Sequence, residues 1–189
     1  MTAEIQRLDL LHEGWARLFV ATIRTAQRPD IRREIEDHGA AVGMLPYDPD
    51  RRVALLIRQL RAPVLHVTGQ PDFLECPAGL LDGTDPAEDA KRELWEEVGL
   101  ELTRLEPVAT TWPMPGLSTE RLHLFLAPYN AADRTGPGGG LGSENEHISA
   151  EEVPLADLAA MADDGRLSDL KTLFLVQTLR LRRPDLFAR

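Results

Sequence analysis

Apolar and polar positions alternate with a period near two over several short stretches of this chain and with a period near 3.6 over others, so elements can be placed before any chemistry is considered. Strand patterns run from Trp15 to Thr25 and from Ile31 to Asp37, and Ala40 to Leu45 with Arg52 to Leu60 form a hairpin turning at Tyr47-Asp48-Pro49-Asp50. Leu105 to Thr111 and Arg121 to Ala127 are further strand candidates, followed by a glycine-rich loop from Gly136 to Gly142. Helical spacing marks a central segment from Pro86 to Val98, then Leu155 to Asp163 and Ser168 to Leu181. Strands ahead of one central helix, with helices at the end, suit an α/β fold, an α/β/α sandwich with a mixed sheet, rather than a regular parallel βαβ series. There is no internal repeat.

The central helix carries the strongest local signals. Asp85 can serve as N-cap, Pro86 suits a first helical position where no N–H is needed, Glu88 completes a capping-box-like pattern, and Gly99 supplies the stop. Advancing about 100° per residue, Ala87, Ala90, Leu94 and Val98 share an apolar arc. Asp89, Glu93, Glu96 and Glu97 share the adjoining arc, within roughly 100° of one another. Like charges three and four residues apart cost a bare helix a few tenths of a kcal/mol per pair, and a bound cation removes that cost. Carboxylate oxygens are hard ligands and no His or Cys stands at zinc-like spacing, so Mg2+ or Mn2+ fits better than zinc. Magnesium shares its shell with phosphates, which makes a diphosphate the natural guest.

Composition narrows the class. At 189 residues with 43% hydrophobic content, the chain can bury a full core in one domain with room for an appended subdomain. The single cysteine, Cys76, cannot form an internal disulfide and suits a reducing compartment, with a buried structural thiol as its expected role. The N-terminus mixes charged with apolar residues, unlike a signal peptide, and no apolar run approaches membrane-spanning length, so a cytoplasmic protein is expected. A net charge of −10 argues against polymeric nucleic acid as a ligand, and Arg180, Arg182 and Arg183 read as a solvated helix end.

The segment Arg92-Glu93-Leu94-Trp95-Glu96-Glu97-Val98-Gly99-Leu100, with Gly79 upstream, resembles the Nudix box, Gly-x5-Glu-x7-Arg-Glu-(apolar)-x-Glu-Glu-x-Gly-(apolar). Twelve residues rather than thirteen separate Gly79 from Arg92, and Thr84 or Asp85 falls where the first Glu of the box belongs. A similar shortening occurs in GDP-mannose pyrophosphatases of the family. The resemblance implies that Glu93 and Glu97 are the principal metal ligands, that Glu96 shares or supports a second ion, that the Ala78 carbonyl adds a backbone oxygen, and that Arg92 orients the glutamates.

Further segments resemble the ADP-ribose and GDP-mannose pyrophosphatase branch. Leu56-Ile57-Arg58-Gln59-Leu60-Arg61 resembles a strand motif that sends an arginine to the substrate; a surface charge pair is the other reading of Arg58 and Arg61. Glu75-Cys76-Pro77-Ala78-Gly79 resembles the Glu-x-x-Ala-Gly lead into the box, placing Glu75 near the metal or nucleotide unless it is a simple edge-strand carboxylate. Pro115, fifteen residues after Leu100, matches the spacing of the branch, which implies that Pro115 and Glu120 lie at the substrate; Trp112 is either a stacking surface or a core residue. Ser143-Glu144-Asn145-Glu146-His147-Ile148 resembles the loop that holds the catalytic carboxylate, with Glu146 as general base and Glu144 as substitute or ligand, on glycines expected to be mobile; an acidic loop tip is the alternative. In this branch an N-terminal strand region, here residues 1–40 ahead of a Nudix domain at 41–189, helps build a homodimer and reaches the partner's site. The activity implied is metal-dependent hydrolysis of nucleoside diphosphate sugars. The alternatives are another Nudix substrate, such as a dinucleoside polyphosphate, oxidised nucleotide or coenzyme A, or a non-catalytic nucleotide-sugar-binding module.

Overall fold

A computed structural model describes residues 2–28, 30–142 and 147–188. The chain divides into two compact units, Met1–Ala40 with Trp112–Leu122, and Ala41–Thr111 with His123–Arg189.

The first unit is a three-stranded antiparallel sheet in the order β1-β2-β3, formed by β1 (Ala3–Glu13), β2 (Arg17–Thr25) and β3 (Ile31–Asp37). β2 and β3 match the alternation of the sequence, whereas β1 is an element the periodicity does not reveal. The reason lies in its pairing with β2, which slips between Ile5 and Arg7 and again between Leu10 and His12. Each slip inverts the parity of the side chains, so no period of two survives along the strand. The Trp112–Leu122 segment joins this unit through backbone bonds from Glu36 N–H to the Leu117 carbonyl and from Thr119 N–H to the Glu36 carbonyl, both 2.9 Å.

The second unit is built on a seven-stranded mixed sheet in the order β10-β5-β4-β9-β8, with β6 added on β5 and β7 on β4. Its strands are β4 (Ala41–Asp48), β5 (Val53–Gln59), β6 (Phe73–Glu75), β7 (Ala78–Leu80), β8 (Glu106–Thr111), β9 (Leu122–Pro128) and β10 (Ser149–Pro154). Every residue of β4 is buried, as expected of a strand covered on both faces. It runs three residues past the predicted end at Leu45, because Pro46 falls between the stretch paired with β7 and the stretch paired with β5, where no ladder donor is required. The β4–β5 turn forms at the predicted place, held by Asp48 Oδ1, which accepts from the N–H groups of Asp50 and Arg51 at 3.0 Å.

The helices are α1 (Ala62–Thr68), α2 (Pro86–Val98), α3 (Leu155–Asp163) and α4 (Leu170–Arg182). α2 packs on β4, β5 and β7, and its Ala90, Leu94 and Val98 join Val42, Met44, Leu55 and Ile57 in the core. α4 packs on β4 and α3 through Leu175, Val176 and Leu179. The short elements α1, β6 and β7 carry too few residues to show a period, and β10 is mostly polar.

α4 also reaches the β6–β7 junction. Asp169 caps the helix by accepting from Thr172 N at 3.0 Å, the Thr172 hydroxyl donates to the same carboxylate, and that hydroxyl accepts from the Cys76 N–H at 2.7 Å. Thr172 is wholly buried, so Thr172→Val strands the Cys76 N–H without a partner. A loss of about 1–3 kcal/mol in unfolding free energy is expected from urea titration. Burial pushes the Cys76 thiol up to about 12, in keeping with its expected structural role.

Candidate active site

α2 begins as its sequence predicts. The Asp85 side chain accepts from Ala87 N at 2.9 Å, Pro86 is the first helical residue, and Gly99 ends the helix in the left-handed conformation at φ 71°. The reciprocal Glu88 half of a capping box is absent among the described contacts, and Glu88 pairs with Lys91 at 2.7 Å instead.

The four acidic residues of one helical arc take four different positions. Asp89 turns back to accept from Gly83 N at 3.0 Å and pins the preceding loop. Glu97 is buried, and its Oε2 accepts from Ala78 N at 3.0 Å. The Glu93 carboxylate lies against Gly79 so closely that a Cβ built there would sit 2.0 Å from its carboxyl carbon. Glu93 and Glu97 therefore bracket the start of β7, where the Ala78 carbonyl stands. Arg92 lies between the glutamates, with Nη2 2.8 Å from Glu93 Oε1 and Nη1 2.8 Å from Glu96 Oε2, and a further contact to Asp82 at 3.2 Å. Burial works against its charge, but Glu93 and Glu96 outweigh that and hold the guanidinium above its ordinary value.

Among the described residues, no three His, Cys, Asp or Glu side chains converge into a closed set able to hold a metal. Arg92 supplies positive charge to Glu93 and Glu96. The donors nevertheless fit a hard divalent cation in kind: they are all oxygens, they lie on one helix face, and Gly79 leaves room where any other residue would displace Glu93.

The remaining predicted residues separate into distinct settings. Arg58 donates from Nε to Glu151 on β10 at 2.6 Å and approaches Asp72 at 3.4 Å. Glu75 is almost wholly buried and holds two cations, Arg61 through Nε at 2.6 Å and Lys171 of α4. Burial alone would raise the Glu75 carboxyl, but Lys171 and Arg61 hold it below the usual carboxylate range. Lys171, Asp169 and Thr172 have no counterpart among the sequence candidates. The only local signal was the N-cap of α4, and their connection to Glu75 spans 96 residues of chain.

Pro115 and Glu120 belong to the first unit. Pro115 lies in a turn closed by the Ser118 N–H on the Met114 carbonyl at 2.9 Å, and Glu120 lies 3.8 Å from His38 Nε2. Trp112 is half-exposed, with the Arg121 guanidinium 4.8 Å above its ring, so it is not a core tryptophan. Glu144 and Glu146 lie outside the described residues.

The glycines ahead of them are held rather than hinged. Gly138, Gly139 and Gly140 all have positive φ, and Gly139 and Gly140 donate their N–H groups to the carbonyls of Glu97 and Glu96 at 2.9 and 3.0 Å. They cap orphan carbonyls at the C-terminus of α2. A Cβ on Gly138 would fall 2.7 Å from the Glu97 carbonyl oxygen, so the close approach requires glycine.

Residues 37–174, which include the glutamate helix and Gly79, match the NUDIX domain, so the chain belongs to the Nudix family. Among proteins similar to it, a GDP-mannose pyrophosphatase of Cronobacter sakazakii is 37% identical over 153 residues, covering 80% of this chain and 78% of that protein. A GDP-mannose pyrophosphatase of Yersinia enterocolitica is 34% identical over 177 residues, covering 90% and 91%. In fold, the chain is similar to a crystal structure of an ADP compounds hydrolase, with a TM-score of 0.75 and 19% identity, covering 98% of this chain and 96% of that one. Among the described residues, no helix is long and apolar enough to cross a membrane.

Proposed function

We propose that this protein is a divalent-metal-dependent pyrophosphatase that hydrolyses the diphosphate bond of nucleoside diphosphate sugars, releasing a nucleoside monophosphate and a sugar phosphate. The observation that carries this reading is the seating of Glu93 and Glu97 against Ala78 and Gly79, with Arg92 between Glu93 and Glu96, in a chain similar to GDP-mannose pyrophosphatases over most of its length. The names of these relatives and the twelve-residue spacing between Gly79 and Arg92 favour GDP-mannose over ADP-ribose as the substrate type.

Glu93, Glu96, Glu97 and the Ala78 carbonyl would hold Mg2+ or Mn2+. When bound, the cation neutralises diphosphate oxygens and makes a water more acidic. Arg92 orients Glu93 and Glu96 by holding one oxygen of each. Arg61 and Arg58 bind the diphosphate side of the substrate, Glu75 holds Arg61 in place, and Pro115 and Glu120 belong to the substrate-binding surface. Glu146 is the general base that takes the water's proton, with Glu144 as its substitute. The chain works as a homodimer through its N-terminal region. Support for this comes from Ile5, Leu8, Leu10 and Leu11, which leave β1 with large apolar side chains about half-exposed.

The test is incubation with magnesium and a panel of nucleoside diphosphate sugars, following monophosphate release. GDP-mannose is expected to be cleaved fastest. Tight binding without hydrolysis of any member would make the protein a nucleotide-sugar sensor, and preferential cleavage of a dinucleoside polyphosphate or coenzyme A would replace the substrate class. Glu146→Gln should lower kcat by about 100-fold with little change in KM. A larger loss in Glu144→Gln would transfer the role of base to Glu144.

A further inference from the structure

A buried carboxylate that meets a lone arginine tends to be gripped by both arms of the guanidinium, because the bidentate geometry is the strongest available to the pair. Glu75 and Arg61 do not pair in this way. Glu75 is 2% exposed, yet Arg61 reaches it only through Nε, at 2.6 Å from Oε1, and the terminal nitrogens of Arg61 donate to none of the described residues. The second oxygen, Oε2, is taken by Lys171 Nζ. Lys171 is anchored in turn by Asp169 at 3.1 Å, and Asp169 is the N-cap of α4. The result is a strut of alternating charge from the first turn of α4 through Lys171 and Glu75 to Arg61.

We propose that Lys171 is a positioning residue: by occupying Glu75 Oε2 it prevents Arg61 from closing into a bidentate pair and keeps the outer edge of the guanidinium available to a phosphate oxygen. The inference rests on the reading of Arg61 as a diphosphate-binding residue. Two further observations agree with it. The Arg61 side chain remains 40% exposed although its Nε is bound to a buried group, and Glu97 follows Glu75 among the charges that act on it, which places the guanidinium in the field of the glutamate helix. The same turn of α4 also holds the Cys76 N–H through Thr172, so α4 braces both Arg61 and the strand that leads to Ala78. Lysine suits the position because a compact ammonium satisfies one carboxylate oxygen without competing for the other.

In Lys171→Met the carboxylate keeps one cation and stays paired, so the chain is expected to fold, while Arg61 rotates to grip both oxygens. Without substrate, heteronuclear NMR of the arginine side chains should find Arg61 in the wild-type protein with its Hε protected from exchange and its Hη protons exchanging freely. In K171M the Hη protons should become protected as well. With substrate, K171M should raise KM about tenfold while leaving kcat within about threefold. In an Arg61→Lys background, where there is no fork to close, K171M should change KM by less than about twofold.

Protected Hη protons in the wild-type protein would overturn the proposal, whatever the variants do. So would a K171M effect on KM that is equally large in the Arg61→Lys background, or a K171M chain that loses stability with KM unchanged or fails to fold. If the wild-type protein cleaves no nucleoside diphosphate sugar, the substrate reading fails on its own, and the NMR comparison still decides whether Lys171 holds Arg61 open.

Discussion

Replacing Glu97 with glutamine is expected to lower kcat/KM by at least about 1,000-fold, equivalent to about 4 kcal/mol of transition-state stabilisation, while leaving the fold intact. The amide keeps an oxygen to accept the Ala78 N–H that Glu97 Oε2 receives at 3.0 Å, so the helix remains fastened to β7. What disappears is a negative charge at a buried position where a cation has few alternatives. Monophosphate release under saturating magnesium measures the rate, and titration calorimetry of the metal measures the cause. A rate within about tenfold of wild type would remove Glu97 from the proposed metal ligands. The parallel change Glu96→Gln should cost less, because Glu96 is already paired with Arg92 and has no backbone contact of this kind among the described residues.

Gly79→Ala should separate activity from stability. The Cβ of an alanine at this position would lie 2.0 Å from the Glu93 carboxyl carbon and 2.1 and 2.5 Å from its two oxygens, which no real contact tolerates. The obstructed group is the end of a flexible side chain, and Gly79 has an ordinary φ, so the chain can yield by moving Glu93 alone. Turnover is expected to fall about 100-fold. Unfolding free energy in urea should stay within about 1 kcal/mol of wild type. Gly99→Ala makes the contrasting case: φ is 71° and the new Cβ would lie 2.2 Å from the Gly136 carbonyl oxygen, so the strain falls on backbone and stability should drop. If G79A unfolds the protein instead of silencing it, the glycine serves the fold rather than the seat of Glu93.

The difference between these substitutions also explains how much of the molecule can be read from its sequence. α2 is legible because its signals are local: Asp85, Pro86 and Gly99 act within one turn of themselves, and the 3.6-residue period places Ala90, Leu94 and Val98 in the core. β2 and β3 follow from alternation in the same way, and the β4–β5 hairpin from two apolar runs on either side of a turn sequence. β1 is illegible because its two register slips depend on β2, and β10 because a polar segment becomes a strand only where β5 offers it an edge. The glycines from Gly138 to Gly140 are misleading by themselves. Composition suggests mobility, whereas the carbonyls of Glu96 and Glu97 hold two of them in place.

The candidate site divides along the same line. The sequence by itself determines that α2 presents four carboxylates on one arc beside Arg92, because the periodicity of a capped helix allows no other arrangement. It cannot distinguish those carboxylates, since each role depends on what packs opposite: Gly83 N takes Asp89, Ala78 N takes Glu97, and the missing side chain of Gly79 admits Glu93. Nor can it pair Glu75 with Lys171 across 96 residues, or show that Arg58 and Arg61, three positions apart, are held by partners on different elements. Those choices belong to the tertiary structure, because a hydrogen bond or ion pair is decided by distances of about 3 Å that only the packed sheet and helices set.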